Sequence, residues 1–380
     1  MFKNSIAVLD IGSSYISLFV GEQSVNGTFT FRAKESQKYY TFFDGEFTDV
    51  KEFENVVNGL FKKLIDNNDI SSISEVFVSV PGEFTKTVSK NYKITFSKVK
   101  KITESDVETL FSLGYEAMDE GYTLVNRSAV YYVLGNVKMH NPIGFTSNSL
   151  AGRLSYVFAS NYFVEMVGSV LKNLNVKVVK YLSIDLAENL YLFDGDIKDV
   201  CRILIDVGYT TSSISISCGN GLLYNSAVAL GGGVISAYLM QELECDFAVS
   251  EVLKQKINLG LRDNSTATYV ITDRFEDEFS FSRNQVNDVA RKFLDELSEG
   301  IDKELSKCTL KIPSDVEVYF TGGGICYMRG AVEYVSSRLN SYPLTVMPKI
   351  PHYNKPSESS KISLLSIALK YKNDKIFFNV

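Results

Sequence analysis

The 380-residue chain has no tryptophan and only two histidines, and its five cysteines, at positions 201, 218, 245, 308 and 326, include no C-x-x-C pair. Zinc centres draw on clustered thiolates and imidazoles, so none is expected here. The cysteines are read as reduced, mostly buried thiols of a cytosolic protein. No apolar run approaches the roughly 18 residues a spanning helix requires. The N-terminus enters a strand within its first residues, and no signal peptide is expected. Positive charge is not in excess: 39 Lys and Arg face 45 Asp and Glu, a formal charge of −6. With no basic stripe in view, nucleic acid is excluded as a principal partner. Apolar residues make up 45% and charged residues 22%, the balance of a globular chain with a sizeable core, and the length suits two lobes.

What is present is a repeat. Residues 6–20 read as an apolar strand, an Asp10-x-Gly12-Ser13-Ser14 turn and a second alternating strand. Residues 203–216 follow the same plan around Asp206-x-Gly208-Tyr209-Thr210-Thr211, with the two aspartates 196 positions apart. One Asp-x-Gly hairpin is an ordinary turn. Two at domain-scale separation point to a duplicated fold closing on one ligand. Glycine permits the tight turn, the small hydroxyl residues leave amides to form an anion-binding nest, and a strand-end Asp suits a hydrated Mg²⁺. A third element supports this reading: the strand at 316–320 runs through Thr321 into Gly322-Gly323-Gly324. Consecutive glycines after a buried strand let main chain approach a flat ligand closely.

Between these loops the periodicity predicts helices over 49–67, 103–118, 161–172, 183–192, 234–243, 247–257, 286–308, 327–335 and 362–372. Strands are expected over 25–31, 76–80, 88–96, 124–138, 153–159 and 222–230. Thr103 and Asp106 form a variant capping box at the second helix start. The glycines Gly231, Gly232 and Gly233 precede the helix at 234–243 and place its N-terminus against phosphate. Glu251 and Lys254 lie one turn apart on the next helix. By themselves they are an exposed helix ion pair worth a few tenths of a kcal/mol. Glu188 is read as part of a solvated helix face, with a water-orienting role as the alternative. The segment 273–278 is read as solvated surface, and the aromatics of 111–132 as core.

In this order the elements resemble the actin/Hsp70/sugar-kinase superfamily. Within it the chain is most similar to the FtsA family of bacterial cell-division proteins. Asp10-x-Gly12 is similar to the first phosphate loop, Asp206-x-Gly208 to the second, and Gly322–Gly324 to the adenosine loop. Glu251-x-x-Lys254 resembles the pair that binds the ribose and borders the adenine. The 102–107 stretch resembles the family's I-T-x-x-D-V helix start, and Asn141-Pro142-Ile143-Gly144 with residues 150–154 is similar to its nP-x-G…L segment.

The resemblance implies an α/β, two-lobed actin-like ATPase fold of duplicated RNase H-like domains with an FtsA-type inserted subdomain. Residues 1–82 and 161–199 would form the first lobe, with 351–380 returning to it. Residues 83–160 would be the insertion, 200–233 and 312–350 the second lobe, and 234–311 its nucleotide and partner subdomain. ATP with Mg²⁺ would sit between the lobes, Asp10 and Asp206 holding the metal through waters. Amides around Gly12, Ser13, Ser14, Gly208, Thr210 and Thr211, with Gly231 and Gly232, would hold the phosphates. Glu251, Lys254, Gly322, Gly323 and Gly324 would hold the nucleoside. Implied partners are further copies of the chain in filaments and the C-terminal peptide of FtsZ, bound through 234–311. The implied location is the cytoplasmic face of the membrane at the division site.

The chain also departs from the family. Tyr209 and Thr210 stand where two glycines are usual and Ser213 stands where a second Asp is usual. These changes crowd the γ-phosphate side and remove a carboxylate, so slow turnover at most is expected. Residues 375–380 are read as an exposed tail, too short for more than weak membrane contact. Two alternatives have other functions. One is a PilM-like scaffold of type IV pilus assembly, and the other a phosphotransferase, against which Ser213 argues.

Overall fold

The computed structural model describes residues 5–23, 29–40, 42–68, 70, 72–115, 120–195, 199–261, 266–272, 276–313 and 315–373. Strands β1 (Ile6–Ile11) and β2 (Tyr15–Gln23) form the first hairpin, with Asp10 opposite Ser17. Next come β3 (Phe29–Lys38) and a two-residue hairpin of β4 (Phe42–Phe43) and β5 (Glu46–Phe47). The strand expected at 25–31 thus begins at Phe29, and its earlier part lies outside the described residues. Helix α1 (Val50–Asn67) starts at Asp49, whose carboxylate accepts the Glu52 amide at 2.9 Å. It buries Phe53, Val57, Leu60 and Leu64 along one stripe, as its periodicity requires. Strand β6 (Glu75–Val80) follows.

An antiparallel sheet is then inserted, ordered β7-β10-β8-β9 and built from β7 (Thr85–Lys101), β8 (Tyr122–Leu134), β9 (Val137–Met139) and β10 (Thr146–Ser160), with helix α2 (Glu104–Ser112) between β7 and β8. The capping box forms as expected: Asp106 accepts the Thr103 amide at 2.9 Å and its hydroxyl at 2.8 Å. Where one strand is expected at 124–138 there is a hairpin. Gly135, at φ +60°, turns the chain between β8 and β9. The chain returns through α3 (Asn161–Asn173), β11 (Lys177–Ser183) and α4 (Ile184–Leu192). The first sheet is ordered β11-β6-β1-β2-β3.

The second half repeats this plan. It comprises β12 (Arg202–Val207), β13 (Ser212–Cys218), β14 (Gly221–Val228), α5 (Gly232–Glu242), α6 (Phe247–Lys256), β15 (Thr268–Thr272), β16 (Glu278–Ser282), α7 (Arg283–Ser306), β17 (Glu317–Thr321), α8 (Ala331–Arg338) and β18 (Leu344–Thr345), and helix α9 (Ser359–Asn373) ends the described chain. Its main sheet is ordered β14-β13-β12-β17-β18. In both sheets three antiparallel strands from consecutive hairpins precede two parallel ones, so the order of the first sheet recurs strand for strand. The helix expected at 327–335 begins only at Ala331, because Gly330 is left-handed at φ +84°.

Alternation along β1 sends Ala7, Leu9 and Ile11 into a core with α1 and α3, while Ile6 and Val8 pack against α4 and α9. Along β12, Ile203, Ile205 and Val207 enter a core with α5, α6, α7 and α8. Helix α4 is buried on nearly every side between the two main sheets. No described helix is long and apolar enough to cross a membrane.

Candidate functional site

The two strand-end aspartates occupy the remaining face of each strand. Asp10 continues the Ile6–Val8 side of β1, which faces α4 and α9, and Asp206 continues the Leu204 side of β12. Helix α4 supplies two more carboxylates one turn apart, Asp185 and Glu188, each 1% exposed. Asp10 is 5% exposed. The four groups interact electrostatically, and Asp10, Glu188 and Asp206 line the floor of a cleft of about 490 Å³ between the lobes. Asp10 Oδ2 accepts from the Ser360 hydroxyl at 3.3 Å, whereas its Oδ1, both oxygens of Glu188 and Oδ1 of Asp185 have no hydrogen-bond partner. Burial holds Asp10 above the usual carboxylate range, against the opposing charge of Lys361. Burial, then the charges of Asp185 and Asp10, pushes Asp206 to about 7. Burial pushes Asp185 to about 6. Burial and the charges of Asp206, Asp185 and Asp10 hold Glu188 well above the ordinary range. The expectation of a solvated helix face for Glu188 is therefore overturned, because both lobes close on α4.

The glycine loops meet above this floor. The amides of Gly12 and Gly208 close their own hairpins onto Tyr15 O at 2.9 Å and Thr211 O at 3.0 Å. Gly324 donates to Val207 O at 2.7 Å. Gly232 and Gly233 donate to Gly208 O and Tyr209 O, at 2.9 and 2.7 Å. The first amides of α5 are thus taken by protein carbonyls, where the sequence reading aims them at phosphate. The loops pack backbone to backbone: a Cβ on Gly232 would lie 2.7 Å from Gly324 Cα. One on Gly322, left-handed at φ +88°, would collide with Asp206 Oδ1. At Gly323 a Cβ would meet side chains alone and at ordinary to slightly tight range, Ser357 at 3.3 Å and Tyr327 at 3.9 Å.

Of the expected residues, Asp10, Gly12, Ser13, Ser14, Asp206, Gly208, Thr211, Gly232, Lys254 and Gly322–Gly324 line the cleft. Thr210 is engaged across the lobes, its amide donating to Ser13 Oγ at 3.2 Å and its hydroxyl to Phe42 O at 3.4 Å. Gly231 packs under the Tyr209 carbonyl. Glu251 lines an adjoining pocket of about 450 Å³ with Lys254, Tyr15, Tyr209, Gly323 and Tyr327. Lys254 donates to Glu251 at 2.8 Å and to Gly232 O at 2.9 Å, and Glu251 also accepts from Ser236. The Tyr209 ring lies under the Lys254 ammonium, 5.2 Å from its centroid, and stacks on Tyr40 of the other lobe at 5.5 Å. Tyr209 thus bridges the mouth of the cleft.

Sequence reasoning missed Asp185, Lys34 and the start of α9. Ser357, Ser360 and Lys361 form one wall of the cleft. Glu358 links Lys34, at 3.4 Å, to Lys361, at 3.7 Å. The proline and serines of residues 356–360 are a helix-start signal that could have placed this wall. Among the described residues no three His, Cys, Asp or Glu side chains form a ready-made set of direct metal ligands. The orphaned carboxylate oxygens nevertheless suit a hydrated divalent cation held through water, an oxygen-rich donor set of the kind Mg²⁺ prefers.

A scan against protein-family models finds no match. The chain is 18% identical to the cell-division protein FtsA of Helicobacter pylori strain J99 over 304 residues, 76% of this chain and 62% of that protein. It is 18% identical to FtsA of Escherichia coli K12 over 341 residues, 87% of this chain and 80% of that one. The chain therefore spans less than two thirds of the Helicobacter relatives. Among solved structures it is similar to the PilM–PilN type IV pilus biogenesis complex, with a TM-score of 0.62 and 14% identity over 96% of this chain and 98% of that one. It is also similar to MreB 5 of Spiroplasma citri bound to AMPPNP, with a TM-score of 0.54 and 12% identity over 99% and 98% of the two chains. The fold is that of the actin-like ATPases. The weak FtsA similarity over most of the chain points to the same superfamily.

Proposed function

We propose that this chain is an actin-like cytoskeletal protein that binds ATP with Mg²⁺ between its lobes, assembles into filaments, and links a cell-division ring to the membrane. The observation that carries the nucleotide reading is the convergence of two strand-end aspartates and Glu188 of α4, with unpartnered buried oxygens, beneath three glycine loops. Asp10 and Asp206 would hold the metal through waters, with Glu188 between them. Bound there, the cation would neutralise phosphate charge. Ser13, Ser14 and Thr211 would face the phosphates, joined by Lys34 of β3 and Lys361 of α9. Glu251, Lys254 and Gly322–Gly324 would border the nucleoside. The buried carboxylates repel one another, and a bound cation would relieve that cost. Nucleotide would then act as an assembly switch by drawing the lobes together. The lobe boundaries at 82, 160, 200 and 350 belong to this proposal.

The division role rests on the FtsA similarity over 87% of the chain. Its test is pelleting of the purified protein with ATP and Mg²⁺, with and without the FtsZ C-terminal peptide. The proposal expects ATP-dependent sedimentation that carries the peptide down. A protein that binds ATP but stays soluble and ignores the peptide would refute the division role. The TM-score of 0.62 to the PilM–PilN type IV pilus biogenesis complex supports one second reading, a PilM-like scaffold of type IV pilus assembly that would bind a short peptide from a membrane partner.

A further inference from the structure

Cys201 and Cys218 are read from sequence as reduced thiols, and the fold sets them side by side. Arg202, the first residue of β12, pairs antiparallel with Ser217 of β13, so one step further along the register Cys201 faces Cys218. The two thiols are close enough to interact. Of the five cysteines only Cys218 is buried, contrary to the expectation of mostly buried thiols, and Cys201 is partly exposed. The Cys218 thiol also donates to Asp199 O at 3.9 Å. Lys138, Arg153 and Arg202 surround Cys201 with positive charge, and contact with Cys218 and these cations brings its thiol down to about 7. The neighbouring Cys201 thiol, then burial, pushes Cys218 upward. One thiol is therefore built to attack and its neighbour to resolve.

We propose that Cys201 and Cys218 form a dithiol–disulfide couple that staples the open end of the β12–β13 hairpin when the chain meets a small-molecule disulfide such as oxidised glutathione. The Cys201 thiolate attacks one sulfur of the reagent and expels one thiolate. Cys218 gives its proton to solvent, attacks the Cys201 sulfur and expels the second thiol. Two cysteines lose two electrons in total, and one small disulfide becomes two thiols. The stapled hairpin carries the Asp206–Thr211 loop at its far end. The staple also lies beside the β13–β14 turn, where Gly219, at φ +63°, sits so close to the inserted sheet that a Cβ there would collide with Val130 O. Oxidation would thus stiffen the hairpin that presents the second glycine loop and fix the seam beside it.

The test treats the full chain with oxidised glutathione, alkylates the remaining thiols and maps the peptides by mass spectrometry without reduction. The expected result is a Cys201–Cys218 cross-link, with Cys245, Cys308 and Cys326 alkylated and the midpoint of thermal unfolding raised by a few degrees. C218S should instead accumulate the glutathione adduct at Cys201, and C201S should remain unmodified at Cys218. Alkylation of Cys201 and Cys218 in the treated wild-type chain at the rate of Cys308, with no cross-link, would overturn the proposal. So would a glutathione adduct that persists on wild-type Cys201. Nucleotide binding enters none of these readouts.

Discussion

Asp10 is the residue on which the cleft turns, because it is buried, holds one orphaned oxygen and faces both α4 and α9. Asp10→Ala should abolish measurable ATP binding in Mg²⁺ while leaving the circular dichroism spectrum and thermal midpoint close to wild type. An unchanged affinity would remove the clamp. The carboxylates also predict a pH dependence. Asp206 titrates near 7 and Asp185 near 6 in the folded protein, both above the usual 3.8. Between that value and 6 or 7 the folded state holds protons that the unfolded chain has released. Stability contributed by these groups therefore falls as pH rises through this window and levels off above it. Carboxylates held below their usual range, such as Asp106 and Glu251, change stability at and below their ordinary values of 3.8 and 4.5. The thermal midpoint of the unliganded protein should thus decline from pH 5 to 7, and Mg²⁺-ATP, which favours the charged carboxylates, should flatten the decline. A midpoint that climbs over that range without ligand contradicts the assignment. Tyr209 allows a separate test. Its stack on Tyr40 joins the lobes at the cleft mouth, and such a pair contributes about 0.5–1.5 kcal/mol. Tyr209→Ala should speed release of a fluorescent ATP analogue by up to about tenfold in stopped flow.

At the scale of elements, the glycine loops divide into two kinds. Gly232 and Gly324 are required by backbone packing, since a Cβ on Gly324 would lie 2.5 Å from Gly208 O. Gly324→Ala should cost about 1–3 kcal/mol of stability, read from denaturant unfolding. Gly323 instead borders the cleft, and Gly323→Trp should block nucleotide while leaving the unfolding midpoint near wild type. These roles were only partly legible in the sequence. The strand, Asp-Gly turn and strand signal recovered both hairpins almost residue for residue, because local turn chemistry sets them. The amphipathic period found α1, whose stripe packs on one side. Periodicity also found α4 but not its burial on nearly all sides, so Asp185 went unnoticed and Glu188 was placed in solvent. The α5 glycines were read as a phosphate site, whereas tertiary packing gives their amides to the second loop.

For the whole molecule, the duplication read from two segments 196 residues apart reappears as two five-stranded sheets of one strand order. Residues 10 and 206 mark equivalent places in those sheets, which is why the sequence repeat located the cleft. The wall formed by Ser357, Ser360 and Lys361 could not be read in the same way. It arises because α9 returns to pack on the face of β1 that carries Asp10, a contact between residues 350 positions apart. A cleft with charged residues on its floor and contacts across its mouth should close on its ligand. ATP with Mg²⁺ should therefore slow proteolysis of the loops between the lobes, and Asp10→Ala should lose that protection. The most direct test of the central claim is equilibrium titration of the purified chain with ATP in the presence and absence of Mg²⁺. The account predicts saturable one-to-one binding that weakens at least tenfold without Mg²⁺ and disappears in Asp10→Ala. Binding that is absent in the wild type, or indifferent to both the metal and Asp10, would contradict it.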